Sequence, residues 1–265
     1  FSRVFAGQGG TDPYGSLCGE LYMDLFGRGG FAGKGIIDAD ALLKCCGDLP
    51  DNTVLSHDAL EGAFLRGGYM GDCELTDGFP SRPLAYFRRM HRWTRGDWQN
   101  LPWIFARGRA LSDIDRWKLF DSLRRSLVAP LTFAAIFAGF FIKTGGLATA
   151  AAAALLALAS RLFVSLAELS AQKARDARRR YHSAVVYGLG GAIMQTFLRL
   201  WLLPFEAWTC ISAICASLWR MAVSGKNLLQ WETAAQTETN HSSLKAHILG
   251  MWSAVLPGIL CALLA

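Results

Sequence analysis

Charge is in short supply in this sequence. Only 18% of its 265 residues are Asp, Glu, Lys or Arg, against about 25% in an ordinary soluble domain. One stretch, SLVAPLTFAAIFAGFFI (Ser126–Ile142), carries none at all. That scarcity excludes a uniformly solvated globule. A cysteine pattern is lacking too. Cys18, Cys45, Cys46, Cys73, Cys210, Cys215 and Cys261 form no CxxC pair and no Cys/His ladder, which excludes a zinc ribbon or a disulfide framework and leaves reduced thiols in a cytosol-facing protein. The adjacent Cys45 and Cys46 read as packed thiols. No basic n-region precedes an apolar run at the start, so no signal peptide is expected. The chain opens on FSRVFAG and closes inside VLPGILCALLA, and is expected to be a central piece of something longer.

What is present divides in two. Residues 1–125 hold most of the charge and read as soluble; residues 126–265 hold the long apolar runs, with the change near Leu123–Ser126. Two spans are expected at 126–142 and 147–169, joined by the KTGG turn as a transmembrane hairpin. Arg124 and Arg125 precede the hairpin and KARDARRRYH (Lys173–His182) follows it. By the positive-inside bias, both ends are assigned to the cytoplasm. The basic run beside a span fits anionic lipid headgroups. In 184–221, Arg199, Pro204 and Glu206 interrupt LRLWLLPFEAW. Helices lying in the headgroup plane, with Trp201, Phe205, Trp208 and Trp219 dipping inward, are expected there, and a second short hairpin is the alternative. A further span is expected at 246–265.

In the soluble part, Gly-rich turns alternate with short apolar runs, as in an α/β domain. DADALLKCC (Asp38–Cys46) reads as a helix starting near Asp38 or Asp40. LSHDALEGAFLRGG (Leu55–Gly68) reads as a helix with Ser56 as N-cap, stopped by Gly67-Gly68, with His57, Asp58 and Glu61 in its first turn. Tyr69–Leu75 reads as a strand. The GFPSRP turn then leads into a helix containing RRMHRWTRGDWQ (Arg88–Gln99).

That last stretch holds Arg88, Arg89, Arg92 and Arg95 with Trp93 and Trp98. Guanidinium forks suit phosphate oxygens, and indoles offer flat faces to sugar rings. Interleaved bases and aromatics also describe single-strand nucleic-acid binding, but such a channel has little use for a fused membrane hairpin. A carboxylate at a helix start, then an Arg-Trp pair ahead of membrane spans, is what a membrane glycosyltransferase requires. It needs a base for the acceptor hydroxyl, cations for the leaving diphosphate and an aromatic floor for the acceptor.

TDPYGSLCGELYMDLFGRGGFAGKGIIDADAL, LSHDALEG and RPLAYFRRMHRWTRGDWQ together resemble the glycosyltransferase domain of the cyclic β-1,2-glucan synthases, and GKNLLQWETAAQTE is similar to that family's segment after the membrane hairpin. The resemblance implies an α/β fold with membrane helices. Residues 1–125 would be the acceptor-side half of a GT-A-type domain, and 126–265 the membrane region. It implies an inverting transfer of glucose from UDP-glucose to a growing β-1,2-glucan, at the cytoplasmic face of a bacterial inner membrane crossed several times.

The resemblance also implies roles. Asp58 falls on the general base, with His57 in place of that motif's Glu. RMHRW (Arg89–Trp93) falls on Gln-x-x-Arg-Trp, with Arg89 replacing Gln; Arg92 and Arg89 would brace the diphosphate and Trp93 would floor the acceptor. In FAGKG, Phe31 and Gly33 would lie beside the acceptor and Lys34 would reach a phosphate. A divalent cation, Mg or Mn, is implied with its ligands upstream of Phe1, so no residue here is assigned to metal; Asp38 and Asp40 are read as a turn and a helix cap. The partners implied are UDP-glucose, a glucan acceptor and the bilayer, with no nucleic acid. The alternative is a degenerate transferase relative acting as membrane scaffold or glucan-export partner, which the departures at His57 and Arg89 favour.

Overall fold

Asp38 stops being a sequence ambiguity as soon as its side chain is placed. Its carboxylate accepts the Ala41 amide at 2.9 Å and caps a helix over Ala39–Cys46, satisfying a backbone donor that has no partner within the first turn. This chemistry recurs through a computed structural model that describes residues 1–5, 21–31, 33–47, 49–55, 57–70, 78–106, 111–139, 141–142, 145–159, 188–240 and 243–252. In order the helices are α1 Ser2–Phe5, α2 Leu21–Phe26, α3 Ala39–Cys46, α4 Asp58–Leu65, α5 Pro83–Gln99, α6 Leu101–Phe105, α7 Asp113–Gly139, α8 Gly146–Leu158, α9 Gly188–Trp219, α10 Ala234–Asn240 and α11 Leu244–Gly250, with a π-helical turn at Arg220–Ser224 after α9.

The described residues are mostly helical, with no strand among them. The strand expected at Tyr69–Leu75 is irregular over Tyr69–Met70, and its remainder lies outside the described residues. The end of α4 also differs from expectation. Arg66, not Gly67, adopts the left-handed conformation (φ 56°, ψ 61°), and its amide closes on the Gly62 carbonyl. Gly67 instead donates to Gly62 and accepts from Gly29 at 2.7 Å, so the glycine pair serves as a docking edge for another loop. At the start of α4 the residue in the cap position is His57, without a side-chain cap bond; Ser56 lies outside the described residues.

Helix α7 crosses the expected boundary. Asp113–Gly139 is one helix of 27 residues, about 40 Å long, and it runs straight through Leu123–Ser126. Composition changes there because the helix changes partners, not because it ends. Its first half buries Leu119 and Leu123 with Leu60, Ala63, Trp103 and Ile104 from α4 and α6. Beyond that, Ala129 packs with Leu203 of α9. The turn into α8 is tight. A Cβ on Gly139 would stand 2.9 Å from the Ala150 Cβ and from the Gly146 carbonyl oxygen, so α7 and α8 meet almost backbone to backbone. The rest of the expected 147–169 span, from residue 160, and residues 253–265 of the expected last span lie outside the described residues.

The pair of headgroup-plane helices expected over 184–221 is, where described, a single helix. Gly188–Trp219 runs through Pro204 without ending, because the proline removes one backbone donor while its neighbours keep their own bonds. Among the described residues, one helix, counted over residues 190–224 with its π turn, is long and apolar enough to cross a membrane by length and composition. Helix α5 packs along its side: Phe87 meets Phe205 edge-on at 4.9 Å between ring centres, and the Ser217 hydroxyl donates to the Arg95 carbonyl at 3.1 Å.

Candidate functional site

Asp58 is the first residue of α4, where a carboxylate is favoured by the helix dipole. The 28–35 loop is pressed against that turn from above. Its base is tied down: Arg28 donates to Asp115 at 2.5 Å, Gly29 donates to Gly67, and the Lys118 ammonium donates to the carbonyls of Arg28 and Gly29. Phe31 lies across Gly62, where a Cβ would come within 2.5 Å of the Phe31 Cβ. Gly33 then crosses the Asp58 carboxylate with φ +78°, and a Cβ there would lie 3.0 Å from the carboxylate carbon and from both oxygens. Gly33 and Asp58 are therefore together, as the sequence reading requires. Lys34 is exposed next to them. His57, also exposed, pairs its Nδ1 with Glu61 at 2.7 Å.

The basic helix α5 divides its cations between two faces. Arg88, Arg92, Arg95 and Gln99, spaced three and four apart, share one side. Arg92 on this side interacts electrostatically with Asp58, whose charge raises its pKa against the larger lowering by burial; a guanidinium stays charged regardless. Phe87, His91 and Thr94 turn the other way, toward α9. There burial, with Arg95, Arg220 and Arg88 close by, pushes His91 down to about 4. Arg89 and Trp93 lie on the remaining side. The Arg89 guanidinium sits 4.7 Å from the Trp93 ring centre, 5.0 Å from Phe79 and 6.0 Å from Tyr86. Of the expected site residues, Asp58, Gly33 and Arg92 converge, with Phe31 bracing the loop. Arg89 and Trp93 instead stack on each other on a neighbouring face of α5.

The chain after α9 completes the Arg92 side. Arg95 and Gln99 hold the backbone at 227–230, Arg88 pairs with Glu232, and Glu238 accepts both the amide and the hydroxyl of Ser81. Between these anchors the Trp231 ring lies 4.3 Å from the Arg92 guanidinium, a cation–π contact. Sequence reasoning likened GKNLLQWETAAQTE to the synthases' segment after the membrane hairpin and placed none of its residues in the site. Trp231 is more than 130 positions from Arg92, and no local spacing could pair them. Among the described residues, no three His, Cys, Asp or Glu side chains gather as a metal site would need.

No family model matches the chain. Over 261 residues, 96% of its length, it is 37% identical to the cyclic beta-(1,2)-glucan synthase NdvB of Rhizobium meliloti (strain 1021). The chain is similar to a piece of a cyclic glucan synthase. It spans 9% of that synthase's own length. The similarity to the synthase extends over nearly the whole chain.

Proposed function

We propose that this chain is the acceptor-side part of a membrane-bound inverting glucosyltransferase of the GT-A type, working within a larger synthase at the cytoplasmic face of a bacterial inner membrane. It moves glucose from UDP-glucose onto a growing β-1,2-glucan. One observation carries the reading: a helix-start carboxylate, Asp58, lies under an exposed glycine loop and is electrostatically coupled to Arg92.

A sugar transfer with inversion needs those two charges on the two sides of the anomeric carbon. The acceptor hydroxyl attacks that carbon while Asp58 takes its proton. The new glycosidic C–O bond forms as the bond to the diphosphate breaks, and the electron pair leaves with UDP. Among the described residues Arg92 donates no hydrogen bond to protein, so its N–H groups are directed to the departing diphosphate oxygens. Gly33 lets the backbone approach the acceptor, and Lys34 lies beside it. The likeness to the glucan synthase supports the substrate class, and the long apolar helix supports membrane attachment.

The test is Asp58→Asn in the full-length parent. It is expected to lower UDP-glucose-dependent glucan formation by at least about a hundredfold, the usual scale for a general base, with expression intact. Normal product from that variant would sink the assignment. A second reading, a degenerate relative serving as scaffold or export partner, draws on the Arg89–Trp93 stack, which covers one face of the indole expected to floor the acceptor. Undiminished glucan export by an inactive full-length protein would favour it.

A further inference from the structure

We propose that Arg95 and Gln99 are positioning residues that fix the 227–230 backbone so that Trp231 is seated on Arg92. The proposal rests on the reading of Arg92 as the diphosphate ligand.

Arg95 and Gln99 lie on the strongly basic helix, yet they are 4% and 2% exposed. Both donate to the chain after α9. The Arg95 Nη1 donates to the Gln230 carbonyl at 2.6 Å. Its Nη2 donates to the Leu228 carbonyl at 2.8 Å and the Asn227 carbonyl at 3.3 Å. Three carbonyls can surround one guanidinium because the chain turns sharply there, with Gly225 and Asn227 at φ 61° and 58°. A planar fork with five donors can serve such a ring of acceptors; an ammonium cannot match its geometry.

Gln99 joins the two walls of the site. Its Oε1 accepts the Leu55 amide at 2.6 Å and its Nε2 donates to the Leu228 carbonyl at 3.2 Å. Leu55 precedes Asp58 by three residues and Leu228 precedes Trp231 by three. One buried amide thus sets the spacing between the carboxylate turn and the indole. Leu228 accepts from both side chains, so the two act on the same point. The Arg92 guanidinium carbon lies over the Trp231 ring, 4.3 Å from its centre, and this contact restrains the orientation of its N–H groups. Were Trp231 unseated, Arg92 would keep its charge but lose its fixed orientation.

The experiment uses the full-length synthase in membranes, with Arg95→Met, Gln99→Leu, Trp231→Ala and Trp231→Phe. Each unseating variant is expected to raise the KM for UDP-glucose about tenfold with kcat little changed, the scale of a desolvated cation–π contact. Trp231→Phe, which keeps a ring on Arg92, is expected to restore most of that loss. The double variant Arg95→Met/Trp231→Ala is expected to be no worse than the poorer single, because both remove the same contact. A second readout is independent of turnover: trypsin cleavage after Lys226 is expected to quicken about tenfold in Arg95→Met once the segment opens locally. Unchanged KM in Trp231→Ala, multiplied effects in the double variant, or an unchanged cleavage rate in Arg95→Met would overturn the proposal. A fully active Asp58→Asn would refute the base assignment instead, and the cleavage readout would still report the seat.

Discussion

At Gly33, two separate constraints fall on one residue. Its φ of +78° is unfavourable for any residue with a Cβ, and a Cβ would also meet the Asp58 carboxylate at 3.0 Å. Gly27 shares the first constraint (φ +63°), but a methyl group added there would meet nothing within 4 Å. The pair therefore separates backbone strain from displacement of the carboxylate. Both Gly27→Ala and Gly33→Ala are expected to cost roughly 1 kcal/mol in backbone conformation. Only Gly33→Ala is expected to reduce glucan formation, by about tenfold or more, since a displacement near 1 Å at a reacting group is enough for that. Parallel activity and thermal-unfolding measurements check it: equal loss of activity in both variants would show that the carboxylate contact plays no part.

Helix α5 answers what so many cations are doing on one short segment. They are divided. Arg95 is committed to carbonyls, Arg88 to Glu232, Arg89 to an aromatic enclosure, and Arg92 is coupled to Asp58. The same helix carries two partly buried groups that titrate in opposite senses. Burial lowers His91 to about 4, and burial raises Asp97 to about 7 against the opposing charge of Arg125. His91 is neutral when folded, so stability is lost as pH falls from 6.5 toward 4. Asp97 holds its proton when folded, so stability is lost as pH rises from 3.8 through 7. Each slope reaches at most about 1.4 kcal/mol per pH unit, and in the parent they largely offset. Two variants unmask them. Relative to the parent, Asp97→Asn is expected to gain thermal stability progressively as pH rises from 4 to 7, and His91→Gln as pH falls from 6.5 to 4. Melting curves of the solubilised full-length protein across that range check both signs, and a pH-independent difference for either variant would contradict its buried neutral state.

On the scale of the molecule, α9 has two unlike sides. One carries Leu203, Phe205 and Ser217 against α5 and α7. The other exposes Trp201, Trp208 and Trp219. Trp201 and Trp219 are eighteen residues apart, five whole turns and about 27 Å, and Trp208 falls on the same stripe. A charged helix packed along α9 is poorly suited to the centre of a bilayer; indoles on the opposite side suit the headgroup boundary. A nitroxide on Trp208→Cys in reconstituted full-length protein is therefore expected to collide more with oxygen than with a water-soluble nickel chelate, and the reverse would place this side of α9 in water.

Some of this was legible in the sequence because it is local. Asp38 and Asp58 at helix starts, the helix that begins at Pro83, and the charge-free run from Ser126 each follow from caps, breakers and composition within a few residues, where backbone bonding and side-chain polarity decide the outcome. The resemblance of whole motifs grouped Asp58, Arg92, Arg89, Lys34, Trp93, Phe31 and Gly33; the fold sets Gly33 against Asp58, while Arg89 and Trp93 stack on another face of α5. What only the tertiary structure decided depends on partners distant in the chain. Arg88, Arg89, Arg92 and Arg95 are chemically alike and occupy one short segment, so nothing local tells them apart. Their roles diverge because a helix sends residues one, three and four apart in different directions, and because Glu232, Trp231, Phe79 and the 227–230 carbonyls happen to meet them there. The continuity of α7 across Leu123–Ser126 was hidden for the same reason: composition records what surrounds a helix, and only packing reveals that its backbone continues while its surroundings change.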